Sequence, residues 1–187
     1  TCQQVKVEYK KSSGLLQPLE IPEWKWEHIT MNFISGLPRI QKNHDAVCVI
    51  VDRLTKSTHF LPVNMKYSLK KLVKLYMDEI VRLHGIPASI VSNRDSKFVS
   101  QFWQKLLETL GTKLNYSTTY HPQTNGQSEW TIQIFEDMLR ACIVDFGGSW
   151  GQNMTLVEFA YNNSYHSSIQ MAPYETLYEW KCQSPIH

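Results

Sequence analysis

The chain has 187 residues, 42% of them hydrophobic and 12% aromatic, and a formal net charge of +2. This suits one domain with a sizeable core and excludes a disordered region, while so small a charge excludes a broad basic footprint and leaves any nucleic-acid contact to local patches. No apolar run approaches the roughly 18 residues of a membrane span, and no signal-peptide pattern is present.

Residues 1–23 are polar, with Ser12-Ser13-Gly14, Pro18 and Pro22, and read as an extended lead-in; residues 24–187 carry the domain. The chain begins with Thr1, which reads as a segment trimmed from something longer. Strand-like runs rich in Val, Ile and Phe cover Trp26–Ile34, Ala46–Leu54 and Thr58–Val63. Their short links predict an antiparallel meander. Ser68 caps a predicted helix to Leu83, with Leu69, Leu72, Val73, Tyr76 and Ile80 on one side and Lys70, Lys71 and Lys74 on the other. Gly85 suits its left-handed end. A short strand, Ala88–Ser92, is followed by a helix Gln101–Leu110, a strand Lys113–Ser117, a polar loop Thr118–Gly126 and a long helix Gln127–Phe146. Gly147-Gly148 breaks that helix, Ser149 is placed as a cap, and a last helix spans Trp150 to Tyr165. The order reads as a mixed α/β sandwich. Cys2, Cys48, Cys142 and Cys182 form no Cys-x-x-Cys pair, so reduced thiols and an intracellular setting, nuclear or cytoplasmic, are expected.

Asn32 lies inside the first strand run, Asn93 ends the fourth, and Glu129 opens the long helix with 35 residues between it and Asn93. Three acids in such slots can converge on two divalent ions about 3.5–4 Å apart, which neutralise the attacking and leaving oxygens of a phosphodiester. Here only Glu129 carries charge. Asp95 reads as a solvated turn residue rather than a substitute ligand, and Asp52 as structural. His28, His44, His59 and His166 show no metal-ligand spacing. Lys97, Lys105, Lys113 and Arg140 are candidate phosphate contacts, though scattered lysines usually line a solvated face.

Six stretches carry a family resemblance: 24–31 (WKWEHITM), 50–57 (IVDRLTKS), 83–87 (LHGIP), 90–95 (IVSNRD), 121–129 (HPQTNGQSE) and 156–162 (LVEFAYN). In order and over nearly the whole chain, they resemble the catalytic core of a gypsy-type LTR-retrotransposon integrase. The resemblance implies a ribonuclease-H-like α/β fold, a five-stranded mixed sheet flanked by helices. It places Asn32, Asn93 and Glu129 at the three catalytic positions, with Asn where the family has Asp at 32 and 93. Glu129 is then the one remaining metal ligand of a degenerate site. Trp130 stands where the family usually has a basic residue. His121, Gln123, Asn125 and Gln127 fall in the segment that positions DNA ends in the family. Cys2 matches the last ligand of a preceding zinc module whose other ligands are absent.

The activity so implied is Mg²⁺- or Mn²⁺-dependent 3′-end processing and strand transfer, with the chain as written an inactive pseudoenzyme that binds neither ion. The alternative is a non-enzymatic, domesticated or decayed core retained for DNA binding, dimerisation or partner contact. Deliberate Asp-to-Asn inactivation is a third reading, against which Trp130 speaks, since no metal-related reason would change it. Expected partners are DNA, bound weakly and without sequence preference, and a second copy of the chain. The homodimer is expected to use the Leu and Tyr face of helix 68–83 and Leu156, Phe159 and Ala160 of the last helix. No membrane and no small-molecule substrate is expected.

Overall fold

The computed structural model describes residues 22–117 and 122–181, the stretch 122–129 by its backbone. Most of the lead-in, Cys2, Cys182 and His121 lie outside the described residues. Strands β1 (His28–Ser35), β2 (Ala46–Asp52) and β3 (Thr58–Val63) form the meander expected from their short links. β1 starts two residues later than its apolar run because Trp26 takes φ 64°, a left-handed conformation that a bulky side chain rarely adopts. Its indole is buried and stacks on the His84 ring at 3.8 Å. β2 ends at Asp52, not Leu54. The buried Asp52 carboxylate accepts from Leu54 N–H, Thr55 N–H and the Thr55 hydroxyl, which turns the chain out of the sheet.

A helix then crosses back over the sheet. It is α-helical in α1 (Leu69–Tyr76), π-helical over Met77–Val81 and α-helical again in α2 (Arg82–His84). Leu72, Tyr76 and Ile80 remain on one buried stripe through the π segment. Gly85, at φ 85°, ends the run and donates to Val81 O at 2.9 Å. The crossover delivers β4 (Ser89–Ser92) parallel to β1, and α3 (Gln101–Thr109) delivers β5 (Lys113–Tyr116) parallel to β4. The sheet order is β3-β2-β1-β4-β5.

Alternation along the strands splits the core in two. Ile29, Met31, Cys48 and Ile50 point to one face, against Leu72, Tyr76, Trp103 and Leu107. Ile34, Val47, Val49 and Phe60 point to the other, against Phe135 and Leu139 of α4 (Pro122–Phe146) and Val157 and Tyr161 of α5 (Met154–Asn163). Phe60 meets the Phe135 ring at 4.5 Å and Tyr161 edge-on at 5.5 Å. β2, covered on both faces, is buried at every position, as such strands require.

Three expectations from the helix pattern change. α4 begins at Pro122, five residues before Gln127, so most of the expected loop Thr118–Gly126 is helical backbone. α5 begins at Met154 rather than Trp150. Residues 149–153 form turns in which the Asn153 amide donates to Gly147 O and Ser149 O, and Trp150 is buried with its indole N–H on Pro38 O at 2.6 Å. Ser149 is therefore not the cap. The last described helix is α6 (Pro173–Tyr178), a short element with Pro173 in its first turn that the apolar periodicity did not indicate.

The edge strand β3 is closed by side chains of α5. The Asn162 amide accepts from Thr58 N–H and donates to Thr58 C=O, both at 2.9 Å, imitating a further strand. Glu158, one turn earlier, accepts from Phe60 N–H at 2.8 Å and contacts His59 Nδ1 at 3.1 Å. Ladder groups that would otherwise stand open at an edge are thereby used.

Candidate active site

Met31 and Ser92 are the last registered pair of the parallel β1–β4 ladder, and Asn32 and Asn93 each follow by one residue. Both are half-buried. Asn32 alternates with Met31 and shares the sheet face of Ile34, the face on which α4 packs. The two amide positions thus flank the end of the parallel β1–β4 ladder, Asn32 inside β1 and Asn93 just past the end of β4. Glu129 belongs to α4, about two turns in from Pro122 rather than in the first turn. Gln123, Asn125 and Gln127 lie on the helical backbone of the same segment, not in a loop.

The strand-end geometry at Asn93 is that of a turn. Asn93 Oδ1 accepts from Asp95 N–H at 3.3 Å, Asp95 Oδ1 accepts from Lys97 N–H at 2.9 Å, and Asp95 C=O accepts from Phe98 N–H. Phe98 stacks on Phe33 at 4.9 Å, and that core lies on the far side of the sheet from Asn32. Asp95 is near enough to that side to help push the buried Cys48 thiol up to about 12, after burial itself. Its carboxylate oxygen Oδ1 is engaged within this turn, in keeping with a turn role.

A pair of hard divalent ions needs several anionic oxygens. Asn32 and Asn93 offer neutral amides, and the Asn93 oxygen is engaged by Asp95. Among the described residues no group of three His, Cys, Asp or Glu side chains is arranged to hold a metal ion.

Of the candidate phosphate contacts, Lys97 Nζ donates to Met65 O at 2.6 Å, Lys105 pairs with Glu108 at 2.8 Å, and Arg140 lies 3.8 Å from Asp137. Lys113 is exposed at the start of β5. The histidines are placed by other contacts: His28 Nδ1 lies 2.6 Å from the Ser89 hydroxyl, and His59 Nε2 lies 2.9 Å from His84 Nε2. Sequence reasoning missed Glu158 and Asn162 as edge caps, and Arg53, Lys56 and His166 as neighbours of one cavity. The only signal was their place in stretches quoted for the resemblance or just beyond them.

A five-stranded mixed sheet in this order, flanked by helices, is the ribonuclease-H-like fold of integrase catalytic cores. Among solved structures, the HTLV-2 integrase catalytic core domain in complex with magnesium, in its trimeric form, matches with TM-score 0.64 and 14% identity, over 81% of this chain and 95% of that one. The BIV integrase catalytic core matches with TM-score 0.64 and 15% identity, over 82% and 95%. A simian T-cell lymphotropic virus intasome in complex with the PP2A regulatory subunit B56 gamma matches with TM-score 0.71 and 13% identity, over 91% of this chain and 59% of that one. In sequence, the chain is homologous to the Tf2-3 and Tf2-4 transposon polyproteins of Schizosaccharomyces pombe, 32% identical over 180 residues and 96% of its length. It spans 13% of the length of those curated relatives. No protein-family model matches it.

Proposed function

We propose that this domain is the core of a gypsy-type retrotransposon integrase in which the DNA 3′-end processing and strand-transfer chemistry has been lost. The observation that carries the reading is the pair of amides, Asn32 and Asn93, beside the end of the parallel β1–β4 ladder, where the resemblance has acids. An amide supplies one neutral oxygen, and no change of pH gives it charge. Magnesium or manganese serves this chemistry in active relatives; this chain is not expected to hold either. The remaining function is non-catalytic, inside the cell in the nucleus or cytoplasm: weak, sequence-tolerant DNA contact driven by phosphate charge, and self-association. Residues 1–23 belong, on this reading, to the tail of a zinc-binding module.

The test is strand-transfer and nuclease activity of the chain beside an Asn32→Asp, Asn93→Asp double variant, with Mg²⁺ or Mn²⁺ supplied. The parent should show none above background, and the variant should gain at least about 1000-fold, which corresponds to about 4 kcal/mol in the barrier. Metal-dependent activity in the parent would overturn the reading.

A further inference from the structure

Between the β1–β2 hairpin and the connection from α4 to α5 lies a cleft of about 780 Å³. Pro38, Ile40, Pro62, Ile143 and Trp150 give it apolar walls. Arg39, Lys42 and His44 line it from the hairpin, and no carboxylate does so among the described residues. The volume falls within the range of sites that enclose a ligand.

Both sides are held by local hydrogen bonds. In the hairpin, Ile40 N–H donates to His44 O at 3.1 Å and Asn43 N–H to Ile40 O at 2.7 Å, with Asn43 at φ 62°. In the connection, Ser149 N–H donates to Gln152 Oε1 and Gln152 N–H to Ser149 O, both at 3.0 Å. The Trp150 indole N–H on Pro38 O ties one side to the other. A cleft fixed in this way costs a ligand little ordering of its walls.

The charge on this cleft is one-sided. Lys42 is exposed and has no acidic partner among the described residues. Arg39 lies 3.7 Å from Asp45 Oδ2 with its own side chain 55% exposed, a pair that a ligand carboxylate replaces at small cost. Burial, and then Lys42 and Lys71, hold the His44 pKa below its usual value against the pull of Asp45, as a locally positive field does. We propose that the cleft docks a short acidic peptide segment of a partner protein, with an apolar side chain against Ile40, Pro62 and Ile143 and flanking carboxylates against Arg39, Lys42 and His44. A nucleic-acid strand matches the charge but brings no aliphatic or aromatic side chain to the apolar walls. Neither Leu156 nor Phe159 lines the cleft, and neither do Asn32 and Asn93, so the proposal rests neither on self-association nor on the lost chemistry.

The full chain is titrated by fluorescence anisotropy with a labelled peptide Asp-Glu-Phe-Glu-Asp, its basic counterpart Lys-Lys-Phe-Lys-Lys, its anchorless counterpart Asp-Glu-Gly-Glu-Asp, and a short DNA duplex. The acidic peptide with its Phe should bind at least about tenfold tighter than either counterpart. Lys42→Glu should weaken that binding about tenfold and turn the preference toward the basic peptide, and Arg39→Gln should weaken it as well. In NMR spectra the backbone amide resonances of Lys42, Gly148 and Gly151 should move saturably with the acidic peptide, while those of Leu156 and Phe159 stay in place. Thermal melts establish that the variants fold. Should Arg39→Gln lose the fold, Lys42→Glu, at an exposed position without an acidic partner, carries the test. No preference for the acidic peptide, unchanged affinity in folded Lys42→Glu, or tighter binding of the duplex with the same amides moving would overturn the proposal.

Discussion

His84 shows how one side chain ties local packing to pH. Its ring is stacked on Trp26 and faces His59 Nε2 at 2.9 Å. Burial, and then the neighbouring His59, push its pKa down to about 4. In the unfolded chain the same ring titrates near 6.5. Between these values the unfolded state binds more protons, so stability is fully present above about 6.5 and falls as the pH drops toward 4. His44 and His166, also lowered chiefly by burial, act in the same direction. The ring is half-buried and partly screened, so the His84 share is on the order of 1–2 kcal/mol. Thermal melts of the parent and His84→Gln at pH 7.5 and 4.5 check this. The parent should lose more on acidification than the variant, and parallel losses would refute the assignment.

At the scale of elements, the edge of β3 depends on α5. Asn162→Ala leaves Thr58 N–H and C=O without the partner that imitates a strand, at a cost of about 1–3 kcal/mol. Chemical denaturation should show that loss with an unchanged slope. Light scattering during refolding should show more aggregation, because an opened edge is a template for pairing with another chain. Asn162→Asp, which can accept from Thr58 but not donate, should fall between the two. The strands were largely legible in the sequence because period-two alternation and the runs of Val and Ile survive packing. The start of α4 was not. Gln123, Thr124, Asn125 and Gly126 carry no apolar rhythm, and the helix extends through them by propagating hydrogen bonds from the packed part beyond Trp130. Residues 150–153 misled in the opposite way: buried Trp150 serves the core from a turn, not from a helix.

For the molecule as a whole, packing narrows where a second copy can dock. Leu72 and Tyr76, expected on a dimer face, are buried in this chain's own core and are not available. Leu156 and Phe159 remain on the outer side of α5, 41% and 44% exposed. Leu83, at the end of the crossover helix, is also 51% exposed, so the expected homodimer would use that helix end with α5, and an isologous contact there should bury on the order of 800 Å² per partner. Phe159→Lys should turn a dimeric mass into a monomeric one in light scattering at micromolar concentration, with the melting temperature changed little. A monomeric parent under the same conditions would count against the contact. Among the described residues no helix is long and apolar enough to cross a membrane.

The sequence by itself determined the strand order and the helices up to α5, the family resemblance, and the chemical identity of positions 32, 93 and 129. Each depends on residue type and spacing, which no packing can alter. An amide at 32 or 93 is neutral in any fold. Tertiary structure alone decided that Asn32 and Asn93 flank the end of a parallel ladder and that Asp95 is tied into a turn beside it. It also decided that Asn162 and Glu158 close an edge 98–104 residues away in the chain, and that Arg53, Lys56, Trp130 and His166 share one cavity. These are contacts between distant segments, set by sheet register and by which side of each strand faces which helix. Local propensity carries no record of either.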